Sequence, residues 1–302
     1  MEPDLIAYIR SRVKDDPSVS VSIGDDAAIL NIENNKQLVV STATLLAGRH
    51  FDESISAEQL GYKSLAVNLS DMAAMGARPQ WATLNLTLAN ADTNWLQAFI
   101  TGFLQLASQY HVILVGGDIA QGNETSITAT VFGTVDKGQY LPRSAAKRGD
   151  LIAVTGELGT AAFVQKNRQH KKLLKHLYTP VPQLKIAEQI KGFAHACIDI
   201  SDGLLADLGH ICSQSLLSAQ ILLDDIPVNK TIKQTSPQWS DFVLSGGDDY
   251  QLCFTFAVDD LHRLPADCSV IGQMSCGQGV KVMANGKQLS LKHKGFIHFN
   301  NG

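Results

Sequence analysis

The stretch IDISDGLLADLGHI, residues 198–211, holds a strand, a turn and the start of a helix in fourteen consecutive positions. The apolar run predicts a strand over 196–200, which ends in the turn Ser201-Asp202-Gly203. Apolar residues at helical spacing then predict a helix to about Cys212. Aspartates therefore lie at the end of an apolar strand, where a carboxylate is costly unless something compensates its charge.

The same association of aspartates with apolar segments and turns recurs along the chain. The five places are Gly24-Asp25-Asp26, Ser70-Asp71, Gly117-Asp118, 199–203 and Gly247-Asp248-Asp249. Two carboxylates about 4 Å apart repel by roughly 4 kcal/mol at an effective dielectric constant near 20, so converging carboxylates need cations. Oxygen-only ligands suit Mg²⁺ or Mn²⁺ and not zinc. The alternative is that these aspartates form turns and cap helices, which are common roles for Asp beside Gly.

Both halves of the chain mix helices with strands. In the first half we expect helices over 4–14, 57–75 and 93–110, the last capped by Asp92, and strands over 19–23, 37–42, 81–88, 111–115 and 125–135. In the second half we expect strands over 151–155, 196–200, 221–223 and 250–256, a helix over 184–190 and a hairpin at Asn285-Gly286. The polar stretch 136–150 between the halves is the best candidate for a domain boundary.

Composition excludes several classes of protein. The length of 302 residues suits two domains. The net charge of -4 gives no indication of a basic face that would bind nucleic acid. It has no apolar run long enough to span a membrane, and its acidic N-terminus does not resemble a secretory signal. The five cysteines form no C-x-x-C pair and are expected to be buried, reduced thiols of a cytoplasmic protein. P-loop, G-x-G-x-x-G, H-E-x-x-H and G-x-S-x-G motifs are absent from the sequence.

Seven segments of the sequence together resemble thiamine-monophosphate kinase, of the superfamily that includes aminoimidazole ribonucleotide synthetase and selenophosphate synthetase. They are 23–30 (IGDDAAIL), 41–51 (STATLLAGRHF), 62–79 (YKSLAVNLSDMAAMGARP), 115–122 (VGGDIAQG), 143–150 (RSAAKRGD), 198–211 (IDISDGLLADLGHI) and 244–254 (LSGGDDYQLCF). Their order and spacing match from about residue 20 to Phe296.

The resemblance implies a mixed α/β fold with two domains, of the aminoimidazole ribonucleotide synthetase-like type. Residues 1–137 would form an N-terminal domain for ATP and metal binding and for dimerisation, and 149–302 a C-terminal α/β domain. The implied reaction is the ATP- and Mg²⁺-dependent phosphorylation of thiamine monophosphate to thiamine diphosphate, with several Mg²⁺ ions. Family members are usually cytoplasmic homodimers joined through their N-terminal sheets.

The resemblance also implies a set of site residues. The metal ligands would be Asp26, Ser41, Thr42, Asp71, Asp118, Asp199 and Asp202. ATP would contact Gly117, Asp118, Arg143 and Ser201, and thiamine monophosphate would contact His50, Asp248 and Phe296. Catalysis would depend on Asp118, Arg143 and Asp202. This set fits the chemistry, because a phosphate monoester with a second pKa of about 6 needs almost no general base, whereas two polyanions must be brought together.

The sequence departs from the family pattern at several positions, of which Ala43 matters most. The family has aspartate at this place in its Ser-Thr-Asp-Thr segment, and alanine offers no side-chain oxygen to a metal. Ile119 and Ala120 replace threonines, residues 176–180 lack an arginine, and Phe296 replaces Trp or Tyr. Three interpretations stay open: an active kinase with weakened metal binding, a non-catalytic nucleotide or thiamine-phosphate binding protein, and another ATP-dependent reaction of the superfamily.

Overall fold

The computed structural model describes residues 2–23, 27–90 and 92–289, and it forms two compact units. The first unit is Met1–Met72 with Ala77–Gln139, and the second is Ala73–Gly76 with Tyr140–Gly302. The chain passes from one to the other between Gln139 and Tyr140, within the polar stretch 136–150. None of the described helices is both long and apolar enough to cross a membrane.

The first part of the chain builds a four-stranded sheet. Its elements are α1 (Glu2–Arg12), β1 (Val19–Val21), β2 (Ile29–Leu30), β3 (Lys36–Leu46), α2 (Ala57–Ala74), β4 (Arg78–Leu88), α3 (Thr93–Gln109), β5 (Ile113–Gln121) and β6 (Ser126–Asp136). The sheet has the order β3-β6-β4-β5, and β1 and β2 form a separate antiparallel pair. β4 and β5 are parallel, whereas β6 is antiparallel to both of its neighbours.

Both sequence predictions for α3, its buried apolar face and its N-cap at Asp92, are confirmed. Its apolar residues at helical spacing, Leu96, Phe99, Ile100 and Phe103 among them, are buried in the core of the first unit. The Asp92 carboxylate accepts hydrogen bonds from the N–H groups of the second and third residues after it, as a helix N-cap does.

Two predictions about the next strand are wrong. His111 was expected to start it, but His111 has a positive φ of 57° and lies in the turn that closes α3, so β5 begins at Ile113. The predicted turn at Gly117-Asp118 is instead continuous strand, because β5 extends to Gln121 along the edge of the sheet. A glycine followed by an aspartate has low strand propensity, and pairing with β4 overrides that preference.

The second part of the chain builds a seven-stranded sheet. Its elements are β7 (Leu151–Thr155), α4 (Thr160–Lys166), α5 (Lys175–Tyr178), α6 (Leu184–Ile190), β8 (Ala194–Asp199), α7 (Leu204–Ser215), β9 (Ser218–Leu222), α8 (Lys230–Thr235), α9 (Trp239–Ser245), β10 (Leu252–Phe256), β11 (Cys268–Ser275), β12 (Gly279–Ala284) and β13 (Lys287–Gln288). The order is β13-β12-β9-β11-β7-β10-β8, with β9 and β12 parallel and the other described pairs antiparallel. The predicted hairpin at Asn285-Gly286 is confirmed, since both residues have positive φ and join β12 to β13.

Apolar clusters pack within this unit. One cluster gathers Ile152, Ile198, Leu204, Leu208 and other residues around α7, and a second includes Phe254 and Phe256. The first cluster fixes α7 against β8, so the short turn 201–203 that joins them is held at both ends.

Candidate functional site

In the first unit the hydroxyl of Ser41 on β3 donates a hydrogen bond to the Asp71 carboxylate on α2. Asp71 lies within α2, which runs to Ala74 as the predicted helix over 57–75 requires, although Ser70-Asp71 was also grouped with the acidic turns. Local sequence around Ser70-Asp71 resembles the other acidic turns, and the helical spacing of the apolar residues decides the conformation. The structure therefore brings together two of the predicted metal ligands, both with oxygen donors.

Thr42 faces the other side of the sheet from Ser41, because successive side chains of a strand point to opposite faces. Its hydroxyl is hydrogen-bonded to that of Thr130 at 2.8 Å, and Thr44 is bonded to Thr128 at the same distance. A single ion beside Ser41 and Asp71 would therefore take a main-chain oxygen from Thr42 and not its hydroxyl.

Asp118 is exposed on the edge strand β5, opposite Asn85 of β4. Gly117 before it pairs with Leu84, whose carbonyl oxygen would lie 1.9 Å from an added Cβ, so only glycine allows this close strand pairing. β5 lies three strands from β3 in the sheet. The residue of β5 in register with Ser41 is Leu114, and Asp118 lies four residues further along the strand. These two offsets separate Asp118 from Ser41 by roughly 19 Å. Within one copy of the sheet, Asp118 and Ser41 do not meet at one ion.

His50 lies in the turn after β3 and is hydrogen-bonded back to it. The Leu46 N–H donates to His50 Nδ1 at 3.0 Å, and the His50 N–H donates to the Leu46 carbonyl at 2.9 Å. Because Nδ1 accepts, the neutral imidazole carries its proton on Nε2. This side chain can present an N–H donor to an anionic or polar ligand.

In the second unit, one buried carboxylate organises the turn after β8. Asp207, in the first turn of α7, accepts the N–H groups of Ser201 at 3.0 Å, Asp202 at 3.1 Å and Gly203 at 3.1 Å. All three bonds end on the same oxygen, Oδ2. The pKa of Asp207 is raised to about 7, mainly by burial and in addition by the nearby carboxylates of Asp199 and Asp202.

The loop 246–250 is hydrogen-bonded to this turn. Asp248 N–H donates to the Ser201 carbonyl at 2.9 Å, and Tyr250 N–H donates to the Ile200 carbonyl at 2.8 Å. The Tyr250 hydroxyl donates to Asp248 Oδ1 at 2.9 Å. A Cβ on Gly247 would lie 2.2 Å from the Ser201 carbonyl oxygen, so the loops approach this closely only with glycine. The structure thus brings Asp248 beside Ser201.

Asp249, next along the loop, points away into the protein. Its Oδ2 accepts the Gly159 N–H at 2.7 Å, and the nearby N–H groups of Thr160 and Ala161, at the start of α4, also act to lower its pKa. Burial is the main cause that raises the pKa of Asp249 to about 7, and Asp248 adds to it. The charge of Asp249 was expected to need a cation, whereas main-chain N–H groups meet it here.

Arg143 is exposed in the second unit, in a segment held by Ser215. The Ser215 hydroxyl donates to the Arg143 carbonyl at 3.0 Å and accepts the Ala146 N–H at 3.2 Å. Pro142 accepts the Cys197 N–H at 3.3 Å, which ties the same segment to β8. The backbone of Arg143 is therefore fixed while its guanidinium is exposed to solvent.

Two predicted residues, Asp26 and Phe296, lie outside the described residues. Sequence reasoning gave no role to Asp207, although an acid inside the apolar run LLADLGHI was a signal of one, because a buried carboxylate needs partners. Among the residues that the structure describes, no group of three or more His, Cys, Asp or Glu side chains is arranged to hold a metal ion.

The donors that are present nevertheless fit magnesium better than a softer metal. They are carboxylates and hydroxyls, which are hard oxygen ligands. Asp199 is buried and Asp202 half-buried, and both raise the pKa of Asp207, so negative charge is concentrated at this turn. A divalent cation at the 199–203 turn would relieve that repulsion.

The buried thiols follow the prediction with one exception. Cys197, Cys212, Cys253 and Cys268 are buried and free, whereas Cys276 is exposed after β11. Burial raises the pKa of Cys212 to about 11 and that of Cys268 to about 12. These two thiols are therefore unreactive at neutral pH.

Comparison with known proteins identifies relatives that cover nearly the whole chain. A family model for "AIR synthase related protein, N-terminal domain" matches residues 24–135. The chain is 39% identical over 322 residues to a thiamine-monophosphate kinase of Haemophilus influenzae, with 99% of this chain and 98% of the relative covered.

Solved structures agree with the sequence comparison. The thiamine-monophosphate kinase of Stenotrophomonas maltophilia K279a superposes with a TM-score of 0.86 at 40% identity, over 94% of this chain and 96% of that one. A complex described as AaThiL with AMPPCP and TMP superposes with a TM-score of 0.81 at 28% identity, over 98% and 96%. With its mixed α/β fold, the chain belongs to the thiamine-monophosphate kinase family.

Proposed function

We propose that this protein transfers the γ-phosphate of ATP to thiamine monophosphate, giving thiamine diphosphate and ADP, and that the reaction depends on Mg²⁺. The observation that carries the proposal is the pair of hydrogen-bonded loops 199–203 and 246–250, which join residues predicted for nucleotide, metal and acceptor. Family membership supports it, and so does the structural relative bound to AMPPCP and TMP.

The protein's own residues have distinct tasks in this proposal. Asp199 and Asp202, with Asp26, Ser41, Thr42, Asp71 and Asp118, would hold Mg²⁺. When bound, Mg²⁺ neutralises phosphate charge and aligns the two phosphate groups for in-line transfer. The fixed backbone of Arg143 lets its guanidinium bind phosphate oxygens in a bidentate way.

The remaining predicted contacts would orient both substrates. Ser201 and Gly117 would approach ATP through the main chain or a short side chain. His50, through its Nε2–H, and Asp248, positioned by Tyr250, would bind thiamine monophosphate, and Phe296 would stack on its aromatic ring system. No general base is needed, because the attacking phosphate is already largely dianionic at neutral pH.

Ala43 favours a second candidate, a nucleotide or thiamine-phosphate binding protein with weak or no turnover. Ala43 lies on β3 on the same face as Ser41 and pairs with Ala129, two residues along the strand from the Ser41–Asp71 contact. The family's aspartate at this position would add a carboxylate on that face. Its absence lowers the affinity for Mg²⁺ in either candidate.

The deciding experiment measures ADP release with and without thiamine monophosphate over a wide range of Mg²⁺ concentrations, for the wild type and Ala43→Asp. We expect acceptor-dependent turnover that requires raised Mg²⁺, and a tenfold or larger gain for Ala43→Asp at low Mg²⁺. Asn34→Asp, an exposed residue in the turn before β3, adds the same charge as a control and should change nothing. Ligand binding without turnover in both the wild type and Ala43→Asp would favour the binding protein.

We further propose a homodimer that covers the open face of the four-stranded sheet. Leu38, Val40 and Leu46 on β3 are 45%, 52% and 41% exposed, and Thr42 and Thr44 lie between them on the same face. A row of large apolar side chains on a sheet face is typical of an interface. Sedimentation of the wild type should give a dimer, and Val40→Lys should give a monomer; a monomeric wild type would contradict the proposal.

The same proposal includes a division into two domains. Residues 1–137 would make the ATP, metal and dimer contacts, and a C-terminal domain would begin at 149. A cytoplasmic location is proposed as well, supported by the four buried reduced thiols. No nucleic-acid partner and no membrane association is proposed, given the net charge of -4.

A further inference from the structure

We propose that Asp207 is a positioning residue for phosphoryl transfer: its carboxylate sets the shape of the 201–203 turn and thereby places Ser201 and Asp202 for the nucleotide and its metal. This inference rests on the proposed function. Asp207 itself would touch neither substrate, because its side chain is 3% exposed and is bonded to the main chain of the turn.

The geometry of the bonds is that of a nest of N–H groups around one atom. Three consecutive N–H groups, from Ser201, Asp202 and Gly203, converge on Asp207 Oδ2 at 3.0 to 3.1 Å. Three consecutive amides can converge on one atom only if the backbone curls around it. The position of that single oxygen therefore fixes the φ and ψ angles of the turn.

Helix capping alone does not explain this acid. An ordinary cap places Ser, Thr, Asn or Asp at the N-cap position, where the side chain bonds to N–H groups inside the helix. Here Gly203 is the N-cap residue and makes no side-chain cap bond, while Asp207 reaches backward from within α7 to N–H groups before the helix. The interaction specifies the turn and not the helix.

Asp207 occupies this place in spite of an electrostatic cost. Asp207 is buried close to Asp199 and Asp202, which is unfavourable for a third negative charge. N–H bonds to an ionised oxygen are stronger than those to a neutral one, so a carboxylate holds three amides more firmly than a hydroxyl would. The 201–203 turn is thus held firmly, despite the repulsion between the carboxylates of Asp207, Asp199 and Asp202.

The 201–203 turn also positions the loop 246–250, which carries Asp248, a residue predicted to bind thiamine monophosphate. The Ser201 carbonyl accepts the Asp248 N–H at 2.9 Å, and the Ile200 carbonyl accepts the Tyr250 N–H at 2.8 Å. A shift of the 201–203 backbone would therefore move Asp248 as well. We expect loss of Asp207 to weaken the use of Mg²⁺-ATP first and of thiamine monophosphate second.

The test compares Asp207→Ala, Asp207→Asn and a stability control, Ile190→Ala. Ile190 is buried on α6, before the start of β8, and packs in the cluster that includes Phe254 and Phe256, not in the cluster around α7. Its truncation therefore destabilises the core without reaching the turn that follows β8. The measurements are the unfolding midpoint, the half-saturating Mg²⁺ concentration, and KM for ATP and for thiamine monophosphate.

For Asp207→Ala we expect at least a tenfold rise in half-saturating Mg²⁺ and in KM for ATP. Asp207→Asn should recover most of the loss, because its amide oxygen can take the place of Oδ2 and all three bonds need only one acceptor atom. Ile190→Ala should lower the unfolding midpoint and leave these constants unchanged. Wild-type constants for Asp207→Ala, or an Asn variant as impaired as the Ala variant, would overturn the proposal.

A failure of the proposed function gives a different result. If the wild type produces no ADP under any condition, the same variants are compared by calorimetry with Mg²⁺-ADP as the probe. Tenfold weaker binding by Asp207→Ala, restored by Asp207→Asn, would support the positioning role in a protein that is not a kinase. Equal binding by all variants, or no binding by the wild type, would overturn it.

Discussion

The buried carboxylate of Asp249 makes a specific prediction about how stability depends on pH. The side chain is 8% exposed, burial is the main cause that raises its pKa to about 7, and the carboxylate of Asp248 adds to it. The N–H groups of Gly159, Thr160 and Ala161 act in the opposite direction. Because the folded pKa lies above the unfolded value of 3.8, the unfolded chain binds fewer protons between these two values. The side chain's contribution is full below about pH 4 and is lost as pH rises through about 7.

The size of the effect follows from proton linkage. With a folded pKa of about 7 and an unfolded value of 3.8, ionisation of Asp249 removes about 2.5 kcal/mol of stability between about pH 5 and pH 8. Asp249→Asn removes the titration and keeps an oxygen for the N–H groups of α4. The variant should therefore gain about 2.5 kcal/mol relative to the wild type over the same interval.

Urea unfolding at several pH values, in a chelator to remove divalent ions, measures this difference directly. Asp241→Asn, on the exposed side of α9, serves as the control and should show no such trend. A difference between Asp249→Asn and the wild type that stays constant from about pH 5 to pH 8 would refute the reasoning, because it would mean that the native carboxylate does not titrate in this range.

Two further predictions concern thiols and loop contact. A thiol reagent should modify one cysteine quickly, Cys276, and the four buried thiols only after unfolding; two or more fast thiols in the native protein would contradict the burial pattern. Gly247→Ala should cost about 1–3 kcal/mol and raise KM for both substrates, since its Cβ would lie 2.2 Å from the Ser201 carbonyl oxygen. Gly209→Ala, in α7 with nothing within 4 Å, should instead stabilise by up to about 1 kcal/mol. Urea unfolding and steady-state kinetics check both variants, and a Gly247→Ala protein as stable as the wild type would show that the loops separate freely.

The sequence predicts elements well where local physics decides them. The apolar spacing of α3 and its Asp92 cap are properties of adjacent residues, and the Asn285-Gly286 hairpin depends on two residues with positive φ. The order of strands in the seven-stranded sheet, including the parallel pairing of β9 and β12, depends on contacts between residues far apart in the chain. No local pattern contains that information.

The candidate site likewise has features that the local sequence predicts and features that depend on distant contacts. Asp71 and Asp118 carry the same local signal as the turn at Asp202, yet one lies within a helix and the other on an edge strand. The loops 199–203 and 246–250 were identified as acidic turns, but their mutual hydrogen bonds are visible only in three dimensions. Family resemblance supplied the residue roles that neither spacing nor composition could assign.

The count of acids in a sequence overstates the number of cations that a site needs. Asp249 belongs to one of the acidic turns that suggested metal binding, and Asp207 follows another, yet both are buried and accept hydrogen bonds from main-chain N–H groups. Main-chain amides thus compensate one acid beside each loop, and these acids are distinct from Asp199, Asp202 and Asp248, which we propose as the residues that bind metal or substrate. In this proposal the acids that shape the loops and the acids that bind the ligands are different residues, and an estimate of bound Mg²⁺ should count only the second group.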